Sequence, residues 1–336
     1  MPVLKRLYHV ARPMLSLIPV ISFIIGVIMS LLNPISWSLF RHSPLFMFFI
    51  LSILYLPVLM MSYLSIFLLG VSGACLNSLI DSRDSDLKGF RKDYQNPIIY
   101  HGVSPLHMKI IMISSAVISF IISLYVSLSF AAIILVGNLI SITYSYYPRI
   151  KMHAPFDVVW NAVGLFTLSF IAGWVVYQGS PEIFLYNFLI HRFSLYYFIG
   201  GDLSVLIKYL IYMGGYWFPH FELYGGTLIG AAFYVLTAVL DYDGDKETGI
   251  KTISVLLGKR YSLLLSLVLY ISGVLLMFEH LVFDLGTILF ASVIAIFMAY
   301  LVVKPEKTSV WNLVKLALTS TLILVVIEIL LRVSIS

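Results

Sequence analysis

Two acidic clusters close long apolar runs: Asn77-Ser-Leu-Ile-Asp81-Ser-Arg-Asp84-Ser-Asp86 and Asp241-Tyr-Asp243-Gly-Asp245-Lys-Glu247-Thr-Gly249-Ile-Lys251-Thr252. Asp81, Asp84, Asp86, Asp93, Asp241, Asp243, Asp245 and Glu247 are half of the chain's 16 acids. An ionised carboxylate beside a low-dielectric layer is costly unless it is paired or bound to metal, so two such groups call for a shared countercharge. A bound divalent metal is the economical one. The chemistry this predicts is that of an enzyme acting on a phosphorylated lipid. Ordinary solvated acids paired with Arg83, Lys88, Lys246 and Lys251 are the plainer reading, and it fits one loop better than two.

Spacing sharpens the expectation. Asn77, Asp81 and Asp84 stand at i, i+4 and i+7, which puts one amide and two carboxylates on one face if the preceding helix continues. Asp241 and Asp245 repeat the i, i+4 interval. Gly249, one turn on, reads as a helix end or a place of close backbone approach, and Lys251 follows within reach of an anion.

The elements that must position these residues are membrane helices. With 60% hydrophobic and 11% charged residues and a mean hydropathy of +0.99, a chain of 336 residues is a polytopic membrane protein and not a soluble globule. The lone Cys75 excludes an intramolecular disulfide and reads as packing. Apolar segments predict nine transmembrane helices in an all-α fold, near 14–32, 45–76, 107–126, 128–147, 156–177, 223–240, 262–279, 283–303 and 312–331. The second is overlong. No Ala-x-Ala-like site follows the first, which is therefore read as retained.

Alternate loops carry Lys5, Arg6, Arg12, Arg83, Lys88, Arg91, Lys92, Lys109, Arg149, Lys151, Lys246, Lys251, Lys259, Arg260, Lys304, Lys307 and Lys315, leaving Arg41, Arg192, Lys208 and Arg332 for the other side. This bias predicts a plasma-membrane protein with a cytoplasmic N-terminus and with both acidic loops, 77–106 and 241–260, in the cytoplasm. One polytopic domain, 1–336, is expected. Its unusual part is 178–222, rich in Phe, Tyr and Trp and interrupted at Gly200-Gly201 and Gly214-Gly215. That stretch reads as an interfacial hairpin or as two short helices, and charge bias does not separate the two.

These residues resemble the UbiA superfamily of intramembrane prenyltransferases. Members carry Asn-x-x-x-Asp-x-x-x-Asp after the second helix and Asp-x-x-x-Asp, then Gly and Lys-Thr or Lys-Ser, after the sixth. Asn77 and Asp81 match the start of the first motif; Asp241, Asp245, Gly249, Lys251 and Thr252 match the second. The resemblance runs from Arg12-Pro13 to the spans after Lys259 and implies nine helices around a central cavity. Departures exist: Ser85 stands where a third Asp is expected, flanked by Asp84 and Asp86. Helical geometry favours Asp84 as the metal ligand, while alignment backwards from the loop favours Asp86. Asn96-Pro97 replaces the Arg-Pro of many relatives, and the 178–222 insertion is not general in the family.

The resemblance implies Mg2+-dependent ionisation of an allylic prenyl diphosphate, release of pyrophosphate and alkylation of a lipophilic acceptor. It gives Asn77, Asp81, Asp84, Asp86, Asp241 and Asp245 metal-binding roles, with Asn77, Asp81, Asp241 and Asp245 at the catalytic centre. Arg12, Arg91, Lys92, Arg149 and Lys251 become candidate diphosphate ligands, with Lys151 beside them. Tyr144 and Tyr147, in the group with Tyr146 that closes the fourth span, would offer their rings to the cation; an interfacial aromatic belt is the plainer reading of them. His101, His107 and His153 are candidate bases. No nucleic-acid partner is expected. A CDP-alcohol phosphotransferase is the alternative, disfavoured because its acids form one contiguous motif. A cation-coupled transporter is disfavoured because mid-span charges are nearly absent.

Overall fold

The computed structural model describes residues 10, 13–31, 44–83, 96–176, 220–278, 285–305 and 312–313. Among them the regular structure is helical: α1 (Pro13–Leu31), α2 (Pro44–Asp81), α3 (Pro97–His101), α4 (Pro105–Val126), α5 (Leu128–Ser145), α6 (Phe156–Val176), α7 (His220–Thr248), α8 (Ile253–Leu257), α9 (Lys259–Phe278) and α10 (Leu285–Val303). A π turn at Val163–Thr167 interrupts α6. Six of these helices are long and apolar enough to cross a membrane. The expected span at 312–331, beyond its first two residues, and the insertion before His220 lie outside the described residues.

Local chemistry sets the helix starts. Proline, which donates no N–H and is preset for the first turn, opens α1, α2, α3 and α4. Ser104 and Asn96 accept the backbone N–H of His107 and Ile98 at 3.2 and 3.0 Å. Between α4 and α5 a single extended residue, Ser127, ends one helix and caps the next through Phe130 N–H at 3.0 Å.

Two helices run past the apolar segments that announce them. The second span was expected to stop at 76 and the sixth at 240, yet α2 reaches Asp81 and α7 reaches Thr248. Hydropathy marks where the membrane ends, but Asn and Asp cost a helix less than about 0.7 kcal/mol each relative to Ala, too little to break it. At 38 residues α2 is about 57 Å long at 1.5 Å per residue, well beyond a hydrocarbon core of about 30 Å.

Packing follows membrane rules. On α4 the buried face is Met108, Ser115, Ser119 and Ser123, while Ile110, Ile113, Val117 and Ile121 are exposed, the arrangement expected where lipid is the solvent. Ser65 and Ser119 donate to each other's carbonyl oxygens at 2.9 and 2.8 Å, fastening α2 to α4. Where α1 crosses α6, a Cβ on Gly26 would lie 2.0 Å from Phe170 O and one on Gly173 2.0 Å from Phe23 O, so only glycine permits this approach. One core joins α1, α2, α5 and α6; a second joins α7, α9 and α10; a third, of Val158, Ala162, Ala231, Val235, Ala238 and Ile253, bridges α6, α7 and α8.

Candidate active site

The ends of α2 and α7 meet the chain between α5 and α6. Asp81, the last residue of α2, is buried, and Lys151 Nζ donates to its Oδ1; an Arg149 guanidinium nitrogen lies 3.6 Å from the same oxygen. Lys151 is buried too. The turn that delivers both cations begins at Arg149, a non-glycine residue at φ 65°, and continues through a 3-10 turn at Ile150–Met152. One turn before Asp81, Asn77 Oδ1 accepts a long hydrogen bond from Ser145 Oγ at 3.4 Å.

The second cluster is held differently. Asp245 is buried and accepts from Thr252 Oγ1 at 3.2 Å, while its backbone oxygen accepts from Ile250 N–H at 2.9 Å. The chain turns between them at Gly249, whose φ of +76° suits glycine. Asp241, one turn earlier, is half-buried. Asp243 takes a separate partner, Lys259 at 2.8 Å, and Lys259 and Lys246 lie over the Tyr242 ring.

One loop ties the two clusters together. Lys151 grips Asp81, and three residues on, Ala154 N–H donates to Lys251 O at 3.1 Å within a parallel bridge between His153 and Lys251. Asp81 and Asp245 therefore belong to the same end of the bundle.

Other expected residues have local duties. Tyr144 turns inward and donates to Tyr234 Oη at 3.3 Å, whereas Tyr146 and Tyr147 are 64% and 78% exposed. His107 Nδ1 meets Ser104 Oγ at 2.6 Å at the start of α4, and His101 ends α3. Asn96 is fully buried, caps α3 and donates to Ser78 O at 2.7 Å, so the Asn96-Pro97 departure marks a structural tie. Arg12, Asp84, Asp86, Arg91 and Lys92 lie outside the described residues. Among the described residues no three Asp, Glu, His or Cys already converge as a metal site.

Sequence reasoning missed Asp157. It opens α6, is fully buried, and its Oδ2 accepts from Ile253 N–H at 2.9 Å and Tyr234 Oη at 3.1 Å; Oδ1 has no hydrogen-bond partner. An acid at the threshold of an apolar span was the available signal.

A polytopic helical membrane protein with two carboxylate-bearing helix ends clasped by one basic loop is the class that fold and site define. The model of the UbiA prenyltransferase family matches residues 52–321, and the chain belongs to that family: it is a prenyltransferase. Its fold is similar to that of a UbiA homologue from Aeropyrum pernix K1 in its apo form (TM-score 0.63, 16% identity, covering 94% of this chain and 97% of that one). It is similar also to a UbiA homologue from Archaeoglobus fulgidus bound to DMAPP and Mg2+ (TM-score 0.57, 18% identity, 94% and 97% covered). A third likeness is to a digeranylgeranylglyceryl phosphate synthase (TM-score 0.55, 15% identity, 98% of each chain covered). No curated protein matches the chain.

Proposed function

We propose that this prenyltransferase moves a polyprenyl group from an allylic prenyl diphosphate to a lipophilic acceptor, a quinone-ring precursor or a lipid, in a Mg2+-dependent reaction that releases pyrophosphate. The observation that carries this reading is the clasp: Lys151 on Asp81 and Lys251 paired with His153 join the two acidic helix ends through one loop. The Archaeoglobus homologue bound to DMAPP and Mg2+ supports it, because its ligands are a diphosphate and a divalent ion.

The donor set fits the metal. Asn77, Asp81, Asp241 and Asp245 offer hard oxygens as two i, i+4 pairs, and Mg2+ is usually held by one or two carboxylates with phosphate oxygens completing its shell. Asp84 or Asp86 would join the first pair. When bound, Mg2+ neutralises the charge that grows on the departing pyrophosphate. Arg149, Lys151 and Lys251, with Arg12, Arg91 and Lys92, supply cations for the diphosphate oxygens. The C–O bond of the substrate breaks, and the allylic cation is shielded from water and faced by Tyr144 or Tyr147 before the acceptor attacks it and loses a proton.

In this reading the chain is one domain of nine spans around a central cavity, set in the plasma membrane with its N-terminus and both acidic segments cytoplasmic. The distribution of Lys and Arg supports that orientation. Purified protein given Mg2+ and a labelled long-chain prenyl diphosphate should release pyrophosphate or alkylate an acceptor, and Asp81→Ala or Asp245→Ala should abolish this. Full turnover in both variants refutes the site. Quinone and lipid profiling of a deletion strain identifies the acceptor.

A further inference from the structure

The helix α8 begins with an unusual division of labour. Thr252 occupies its N-cap position, where a threonine hydroxyl normally satisfies an exposed N–H of the first turn. Here it makes no such bond. Its Oγ1 instead reaches Asp245 Oδ2 at 3.2 Å and Ser254 Oγ at 3.0 Å. The N–H of Ile253, the first residue of α8, is taken by Asp157 Oδ2 at 2.9 Å, from 96 residues earlier in the chain. The Thr252 hydroxyl donates to Asp245, and the residue directly after it is pinned by Asp157.

Asp157 is also tied on its other side. Its Oδ2 accepts from Tyr234 on α7, and Tyr144 on α5 donates to the Tyr234 hydroxyl. A fully buried carboxylate is costly to desolvate, so one kept at this junction needs compensation, and two donors on one oxygen supply only part of it. The apolar packing of Val158, Ala162, Val235, Ala238 and Ile253 fixes its backbone at the seam of α6, α7 and α8.

We propose that Asp157 is a positioning residue for the diphosphate half-site: by holding the N–H of Ile253 it fixes the backbone that sets Thr252 beside Asp245 and the Gly249–Thr252 turn that carries Lys251. This rests on the proposed function. Asp157 itself touches neither diphosphate nor metal in this account. Its effect passes through Ile253 N–H, Thr252 Oγ1 and Asp245 Oδ2.

The test measures binding of inorganic pyrophosphate with Mg2+ by calorimetry, alongside KM for prenyl diphosphate and for acceptor, in detergent-solubilised full-length protein. Asp157→Ala should weaken pyrophosphate binding and raise the prenyl diphosphate KM by about tenfold, the scale of one lost hydrogen bond to a charged group. The acceptor KM should change less than twofold. Asp157→Asn keeps an oxygen that can accept from both Ile253 and Tyr234, so it should retain affinity within about threefold even if its thermal midpoint falls. Thr252→Val should reproduce the Asp157→Ala affinity loss, and the double variant should add little to either. Should Asp157→Ala fail to fold, Asp157→Asn and Thr252→Val still decide. Unchanged affinity in Asp157→Ala, Asn as damaging as Ala, or additive losses in the double variant would each overturn the proposal. A wild-type protein that neither binds Mg2+-pyrophosphate nor transfers prenyl groups would instead refute the function on which it rests.

Discussion

The two acidic helix ends carry similar i, i+4 patterns and are supported in opposite ways. Asp81 is gripped by two cations, Lys151 and Arg149, delivered by one turn of the 146–155 loop. Asp245 is held by a neutral hydroxyl and by the backbone geometry around Gly249. The first half-site thus sets two cations of the chain on its carboxylate, while at the second a hydroxyl and the backbone turn orient the carboxylate. Burial alone does not distinguish them, since Asp81 is 7% and Asp245 8% exposed; the groups described around them do.

The largest expected effect breaks this asymmetry at its charged side. Removing one member of a buried ion pair strands the other and typically costs about 3–5 kcal/mol. Asp81→Ala should therefore abolish prenyl transfer and also lower the thermal midpoint, followed by circular dichroism in detergent. Asp81→Ala combined with Lys151→Met should regain much of the stability and none of the activity. Asp245→Ala should be just as inactive yet lose less stability than Asp81→Ala, because the hydroxyl left behind can still bond Ser254. Equal destabilisation by the two alanine variants would erase the distinction.

The same asymmetry explains what was legible in the sequence. Acid spacing, Gly249 and Thr252 could be read because their chemistry is local to one helix end. The extents of α2 and α7 were underestimated because apolar periodicity stops at Asn77 and Asp241 while the helical backbone does not. Arg149-Ile-Lys151 reads in sequence as positive-inside bias or as a holder of anionic headgroups or diphosphate oxygens. The grip of Lys151 on Asp81 was hidden, since nothing in that stretch reports a contact with a residue 70 positions away. Asp157 was missed for a related reason: a single acid before an apolar run resembles any membrane-edge residue until α7 and α8 pack against it.

Arg149 sharpens the comparison at a smaller scale. It shares the Asp81 oxygen with Lys151, but at 3.6 Å and with a fifth of its side chain exposed. Arg149→Ala should cost no more than about 1 kcal/mol, as for partly solvated pairs. If Arg149 moves to the diphosphate when substrate arrives, its loss should appear in KM for prenyl diphosphate, several-fold, with the thermal midpoint nearly unchanged. A stability loss as large as that of Asp81→Ala would make Arg149 a structural counterion instead.

The smallest effect is expected beside the second cluster, at the acid its spacing leaves off the shared face. Asp243 and Lys259 are 2.8 Å apart, yet their side chains are 41% and 37% exposed, and Lys259 rests on the Tyr242 ring. Water and salt screen such a pair, and long side chains lose rotamer freedom in forming it, so its net worth is about 0–1 kcal/mol. Asp243→Asn should leave prenyl transfer within twofold and shift the thermal midpoint slightly, with the shift shrinking further in high salt. This variant keeps the side chain's shape while removing its charge, so it separates the two acids of one turn by partner and not by size. A collapse of activity in Asp243→Asn would mean that the second half-site recruits its carboxylates by proximity alone. The helical face shared by Asp241 and Asp245 would then lose its standing as the feature that selects them.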